Sequence, residues 1–183
     1  MANHFYRSAI IVLSTSAALL LSACESMSPE QCKVADWAQT GREDGAKGEP
    51  RSNLADYTKD CAKVGVTPSP SAYYYGWDQG IATFCTPQRG WSEGMNGNAF
   101  KRDACAGQAG EPGFMMAFDR AYQIYDINQQ LNNIASTTRD LEKKLSEAKT
   151  DDERNSLRRQ LRDQDRAAAN LRVNLQLMNT VQP

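Results

Sequence analysis

"GREDGAKG" (Gly41 to Gly48) and "GWSEGMNG" (Gly90 to Gly97) place glycine at the same three positions, and "GWDQGIAT" (Gly76 to Thr83) repeats the first two. Steps of four and three are the rhythm of one helix face. Yet each glycine inside a helix costs roughly 0.5–1 kcal/mol relative to alanine. Continued upstream, the first series runs Val34, Ala38, Gly41, Gly45 and Gly48, a strip of small side chains. Such a strip lets a second backbone or a flat ring come closer than a Cβ would allow. Membrane helices pack this way, but these segments are too polar for lipid. The expectation is close packing of short helices, with Trp37, Trp77 and Trp91 laid against the glycine faces. The other use of glycine is a ligand loop. Neither G-x-G-x-x-G nor G-x-x-x-x-G-K-[ST] occurs, so no phosphate cradle or cofactor is expected.

Ser28-Pro29, Ser69-Pro70 and Thr86-Pro87 mark helix starts, and Gln31 completes a capping box with Ser28. Helices are expected over about residues 29–47, 52–64, 70–85 and 87–97. Between residues 29 and 113 the only Val, Leu or Ile are Val34, Leu54, Val64, Val66 and Ile81. A region so poor in aliphatics needs aromatics and covalent staples to be stable.

Those staples are at hand. Cys32, Cys61, Cys85 and Cys105 follow Cys24. No C-x₂₋₄-C pair exists, which argues against zinc, and an even count in an exported chain reads as disulfides. Of the three possible pairings, Cys32–Cys61 with Cys85–Cys105 is preferred. Each pair then brackets one glycine triad, as though one unit were duplicated.

Export is written at the start. Arg7 precedes an apolar run, Ser8 to Leu21, that ends in "LSAC", Leu21 to Cys24. The run is shorter than the roughly 20 residues that span a bilayer and fits a signal-peptide core. "LSAC" resembles the lipobox of bacterial lipoproteins. That resemblance implies cleavage before Cys24 and a lipid on its sulfur, so the partner at this end is a membrane. Three acyl chains would hold the chain essentially permanently. Residue 25 is Glu, not the Asp associated with inner-membrane retention, which favours the outer membrane, on its periplasmic face. The single histidine, His4, lies in the signal, so histidine triads and histidine metal ligands are excluded from the remainder. Arg7 lies there too, so 20 of the 21 Lys+Arg remain against 22 Asp+Glu. That balance gives no basis for nucleic-acid binding.

A cysteine, Trp37, the first glycine triad, Cys61, "YGWDQGIATFCT" (Tyr75 to Thr86) and the second triad together resemble the small Gram-negative lipoproteins grouped as domain of unknown function 2799. The likeness covers about residues 24–105. It implies class and location, and no activity.

After Gly113 there is no Gly, Trp or Cys. An apolar series runs Ile124, Ile127, Leu131, Ile134, Thr138, Leu141, Leu145, Ala148. A second runs Leu157, Leu161, Gln164, Ala168, Leu171, Leu175, Met178. They are out of phase across "KTDDERNS" (Lys149 to Ser156), which breaks a single long coiled coil. Folded back about Asp151, they align layer by layer, from Leu145 with Leu157 to Ile124 with Met178, and Thr138 meets Gln164 in one polar layer. An antiparallel hairpin is expected, capped by Thr150, although its turn lacks glycine.

The fold class is therefore mainly α, with a signal at 1–23, a lipidated tether at 24–28, a disulfide-stapled glycine-rich domain at 29–113 and a coiled-coil hairpin at 114–183. The expected role is non-catalytic: an envelope lipoprotein that is structural or binds another envelope protein or peptidoglycan. The alternative is a protein that binds or cleaves wall glycan. It would use paired carboxylates among Glu43, Asp44, Asp78 and Glu93, with Tyr73, Tyr74 and Tyr75 stacking on sugar.

Overall fold

The computed structural model describes residues 25–180. Cys24 and the signal expected at residues 1–23 therefore lie outside the described residues. Among those described there are seven α-helices and no strand. They are α1 (Pro29–Val34), α2 (Trp37–Ala46), α3 (Asn53–Ala62), α4 (Pro70–Phe84), α5 (Pro87–Met95), α6 (Glu111–Glu147) and α7 (Asp151–Asn179), with a 3-10 turn at Ala99–Lys101. Ser28, Ser69 and Thr86 cap their helices as expected, each ahead of its proline.

The helix expected over 29–47 is two helices. Ala35 and Asp36 are extended, and the Asp36 carboxylate caps α2 by accepting from the Gln39 amide. Val34 therefore leaves the strip and is 84 % exposed.

The glycines at the helix crossings touch backbone, not tryptophan rings. Helices α2 and α4 cross with glycine on both sides. A Cβ on Gly41 would overlap the Tyr73 carbonyl, one on Gly76 the Ala38 carbonyl, and one on Gly80 the Arg42 carbonyl. One on Gly45 would sit 2.6 Å from the Ile81 amide nitrogen. Each helix thus presses its glycines on the carbonyls of the other. Trp77 instead enters the core and donates its indole N–H to the Glu49 carbonyl at 2.8 Å.

The same contact is built a second time, and the partner is the start of α6. Gly41 and Gly45 face the carbonyls of Tyr73 and Trp77, while Gly90 and Gly94 face those of Phe114 and Phe118. Each triad then ends alike. Gly48 and Gly97 have φ of 66° and 72° and sit under the rings of Phe84 and Tyr125. The amides of Glu49 and Asn98 return to the carbonyls of Asp44 and Glu93. This is a glycine-ended helix terminus, made where a Cβ would be strained. The protein is a duplicated helix pair. In the second copy Ala117 and Ala121, both buried, accompany the partner helix where the first copy has Gly76 and Gly80.

The boundary expected at 113–114 consequently falls inside α6. Phe114 and Phe118 share one buried cluster with Leu54, Tyr73, Trp77, Ile81, Phe84, Cys85 and Cys105. Phe84 meets Phe114 across the two units, ring centres 5.4 Å apart. A ladder of Phe114, Phe118, Tyr122 and Tyr125 then leads along α6 toward the arm.

Both expected disulfides form. Cys32–Cys61 joins α1 to α3, and Cys85–Cys105 joins the end of α4 to the turns before α6.

The rest of α6 pairs with α7 as an antiparallel hairpin. Every residue of the two apolar series is buried or half-buried, including Thr138 and Gln164. Near the turn Leu141, Ala148 and Leu157 form a small core with Leu145 and Leu161. At the far end the Arg120 guanidinium donates to the Met178 carbonyl. The turn needs no glycine because Ala148 and Thr150 are extended. Arg154 donates to the Ala148 carbonyl at 2.8 Å, and Thr150 accepts from the Glu153 amide. One carbonyl at the end of α6 and one amide at the start of α7 thereby gain partners.

Candidate functional site

Three polar arrangements stand out. The first is a buried carboxylate. Asp44 lies one residue before Gly45, on the glycine face, and is 7 % exposed. It accepts the hydroxyl of Tyr73 at 2.7 Å and that of Tyr57 at 3.0 Å, tying α2 to α3 and α4. Both phenols are pushed well above the ordinary tyrosine range, by burial first and then by the Asp44 carboxylate. The second copy places Glu93 at the matching position. Its partner helix offers Phe114 where the first offers Tyr73, so Glu93 accepts from the Asn98 side chain and pairs with Arg89.

A raised tyrosine pKa has a definite sign. The contribution to stability is complete below about pH 10, where the unfolded phenol begins to ionise, and is lost as pH rises toward the folded value. Tyr73→Phe should therefore flatten the alkaline fall in melting temperature, while lowering it at neutral pH through the lost hydrogen bond. A pH series of thermal melts checks this, and an unchanged alkaline slope would contradict it.

The second arrangement is a groove of about 510 Å³ between the loops that follow the two glycine helices. It is lined by Arg51, Trp77, Phe100, Lys101 and Asp103, with Glu49. Phe100 is 78 % exposed at its rim. The charges here are engaged. Lys101 donates to the Gly48 carbonyl and to Glu49, the latter at 2.7 Å. Arg51 lies over the Tyr74 and Trp77 rings, 4.6 and 5.2 Å from their centres, and faces Asp78 at 3.6 Å. Asp103 pairs with Arg102, which also clamps Asp119 through two nitrogens. The groove offers an aromatic edge among neutralised charges, a surface suited to contact more than to proton transfer. Sequence reasoning missed it, because Arg51, Phe100 and Lys101 sit in loops without a motif.

The third is the entry to the fold. Ser26 donates its amide and hydroxyl to one oxygen of Asp60, at 2.7 and 2.8 Å. Lys63 bonds the other oxygen at 2.9 Å and reaches Glu25 at 3.1 Å. The Lys63 ammonium, then Ser26, hold the Asp60 carboxyl well below the usual carboxylate range. The segment expected as a tether is thus fastened down from residue 25 onward.

The four acids proposed from sequence for glycan chemistry each have separate partners. Glu43 accepts from Gln39 on the helix surface, Asp44 is buried beneath tyrosines, Asp78 faces Arg51, and Glu93 belongs to the second unit. None of them lines the groove. Tyr73 is fully buried, whereas Tyr75 is 64 % exposed. Among the described residues no three of His, Cys, Asp and Glu gather as metal ligands, and no helix is long and apolar enough to cross a membrane.

Fold and site define a class: a disulfide-stapled, all-helical module of two glycine-zipped helix pairs, extended by an antiparallel arm. Residues 36–123 match the family model described as "Protein of unknown function (DUF2799)", and this segment of the chain belongs to that family. The matched segment starts at the cap of α2 and ends within the paired part of α6, so it coincides with the two helix pairs. No curated protein and no solved structure gives a significant match.

Proposed function

We propose that the chain is a lipid-anchored lipoprotein of the bacterial envelope with a non-catalytic, structural or protein-binding role. The observation that carries this reading is "LSAC" at Leu21 to Cys24, directly after an apolar run too short to span a bilayer. Two disulfides support it, since such bonds persist in oxidising compartments outside the cytosol. Glu25 favours the outer membrane, facing the periplasm. The binding role rests on the groove at Phe100 and on the helical arm. Of the polar groups buried in the helix pairs, Asp44 ties α2 to α3 and α4, and Glu93 is engaged by Asn98 at the end of its own helix.

Cys24→Ser should abolish lipid attachment and leave either an uncleaved precursor or a soluble form. Fractionation with mass analysis checks this. A Cys24→Ser chain still found in membranes at the mature mass would overturn the reading.

A further inference from the structure

Resting on the lipoprotein reading, we infer that the end of the body built from α1 and the last turn of α3 lies directly on the lipid surface, because residues 25–28 are fastened to it and leave no slack after Cys24. Each residue of the segment has a partner. Glu25 bonds Lys63, and Ser26 bonds Asp60 through both its amide and its hydroxyl. The Met27 sulfur lies 3.8 Å from the sulfur of Cys61, which is itself fully buried and joined to Cys32. Ser28 closes a reciprocal capping box with Gln31. Consecutive Cα atoms are about 3.8 Å apart, so a lipid on Cys24 enters the bilayer one residue away from the clasp. A lipoprotein on a loose tether could hold its body well clear of the membrane. This one has its first turn and a disulfide at the anchor.

The surface exposed there suits the headgroup boundary. Val34 ends α1, two residues after Cys32, and stands 84 % exposed. Lys33 and Lys59 are exposed on the same two helices. Glu30 and Asp56 accompany them, so the surface is not a basic patch, and the hold comes from the lipid more than from headgroup charge.

The test uses the full lipidated protein in vesicles of phosphatidylethanolamine and phosphatidylglycerol. A photo-crosslinking benzoyl-phenylalanine replaces Val34, and lipid adducts are counted by mass. A second chain carries a flexible Gly/Ser spacer between Glu25 and Ser26, which keeps the residue after Cys24 unchanged. The direct chain should give lipid adducts, and the spacer should reduce them roughly five-fold or more by diluting the site from the surface. Equal adducts in the two chains, or none in a direct chain whose mass shows the lipid, would overturn the inference alone. A mass without lipid on Cys24 would overturn the lipoprotein reading beneath it.

Discussion

Gly45→Val and Gly94→Val should each destabilise the protein by at least about 2 kcal/mol, through overpacking that the surroundings cannot relieve. The reason lies in what each glycine touches. A side chain can rotate away from an added methyl group, but a helix backbone cannot. At Gly45 the first atoms met are the Trp77 carbonyl and the Ile81 amide of α4, and at Gly94 they are the Phe118 carbonyl and the Ala121 methyl of α6. Any side chain there forces the two helices apart and opens the core that holds Tyr73, Trp77 and Phe118. Gly113→Ala is the control. Its Cβ would meet only the Pro87 ring, at 3.1 Å, and alanine favours a helix by up to about 1 kcal/mol. Denaturant midpoints of the oxidised proteins decide the matter. A melting curve for Gly45→Val within a degree of wild type would mean the helices do not meet backbone to backbone.

The second large effect belongs to the Cys85–Cys105 bond. Replacing both cysteines by alanine should cost about 3 kcal/mol from loop closure alone, given 20 residues of separation. The local setting adds to this. Cys105 is fully buried, and both sulfurs sit in the cluster shared by the two helix pairs. The segment is also gripped at Gly110, whose missing Cβ makes room for the Cys85 carbonyl. Removing the bond therefore frees the turns that lead into α6 and leaves a cavity in the cluster that the two helix pairs share. Urea titration of the double variant measures the loss. A loss below about 1 kcal/mol would mean that the turns after Lys101 are held by other contacts.

Much of this was legible in the residues. The glycine spacing foretold helices in close contact, because only backbone proximity repays glycine inside a helix. The bracketing of each triad by two cysteines foretold the pairing. The hairpin register was readable because two apolar series match layer by layer only about Asp151. The second helix pair was harder to see. Its partner strand of contacts uses Phe114, Phe118 and Ala121 on a helix whose later turns read as coiled coil, so composition placed a boundary where the chain has none. The break at Ala35–Asp36 was hidden because the 4,3 rhythm runs through it, and only the Asp36 side chain, by capping α2, decides against it. The tryptophans were misassigned because a flat ring and a backbone are equally good reasons for a glycine. The clasp at Asp60 and Lys63 depends on residues some 34 positions from Ser26, which no local pattern connects.

The most direct measurement is the intact mass of the chain purified from membranes, before and after reduction and alkylation. The expected species begins at Cys24, carries the mass of an N-terminal lipid, is lighter by two hydrogens for each of its two disulfides, and takes up alkyl groups only after reduction. A chain that retains residues 1–23, lacks the lipid, or alkylates without reduction would contradict a lipid-anchored, disulfide-stapled envelope protein.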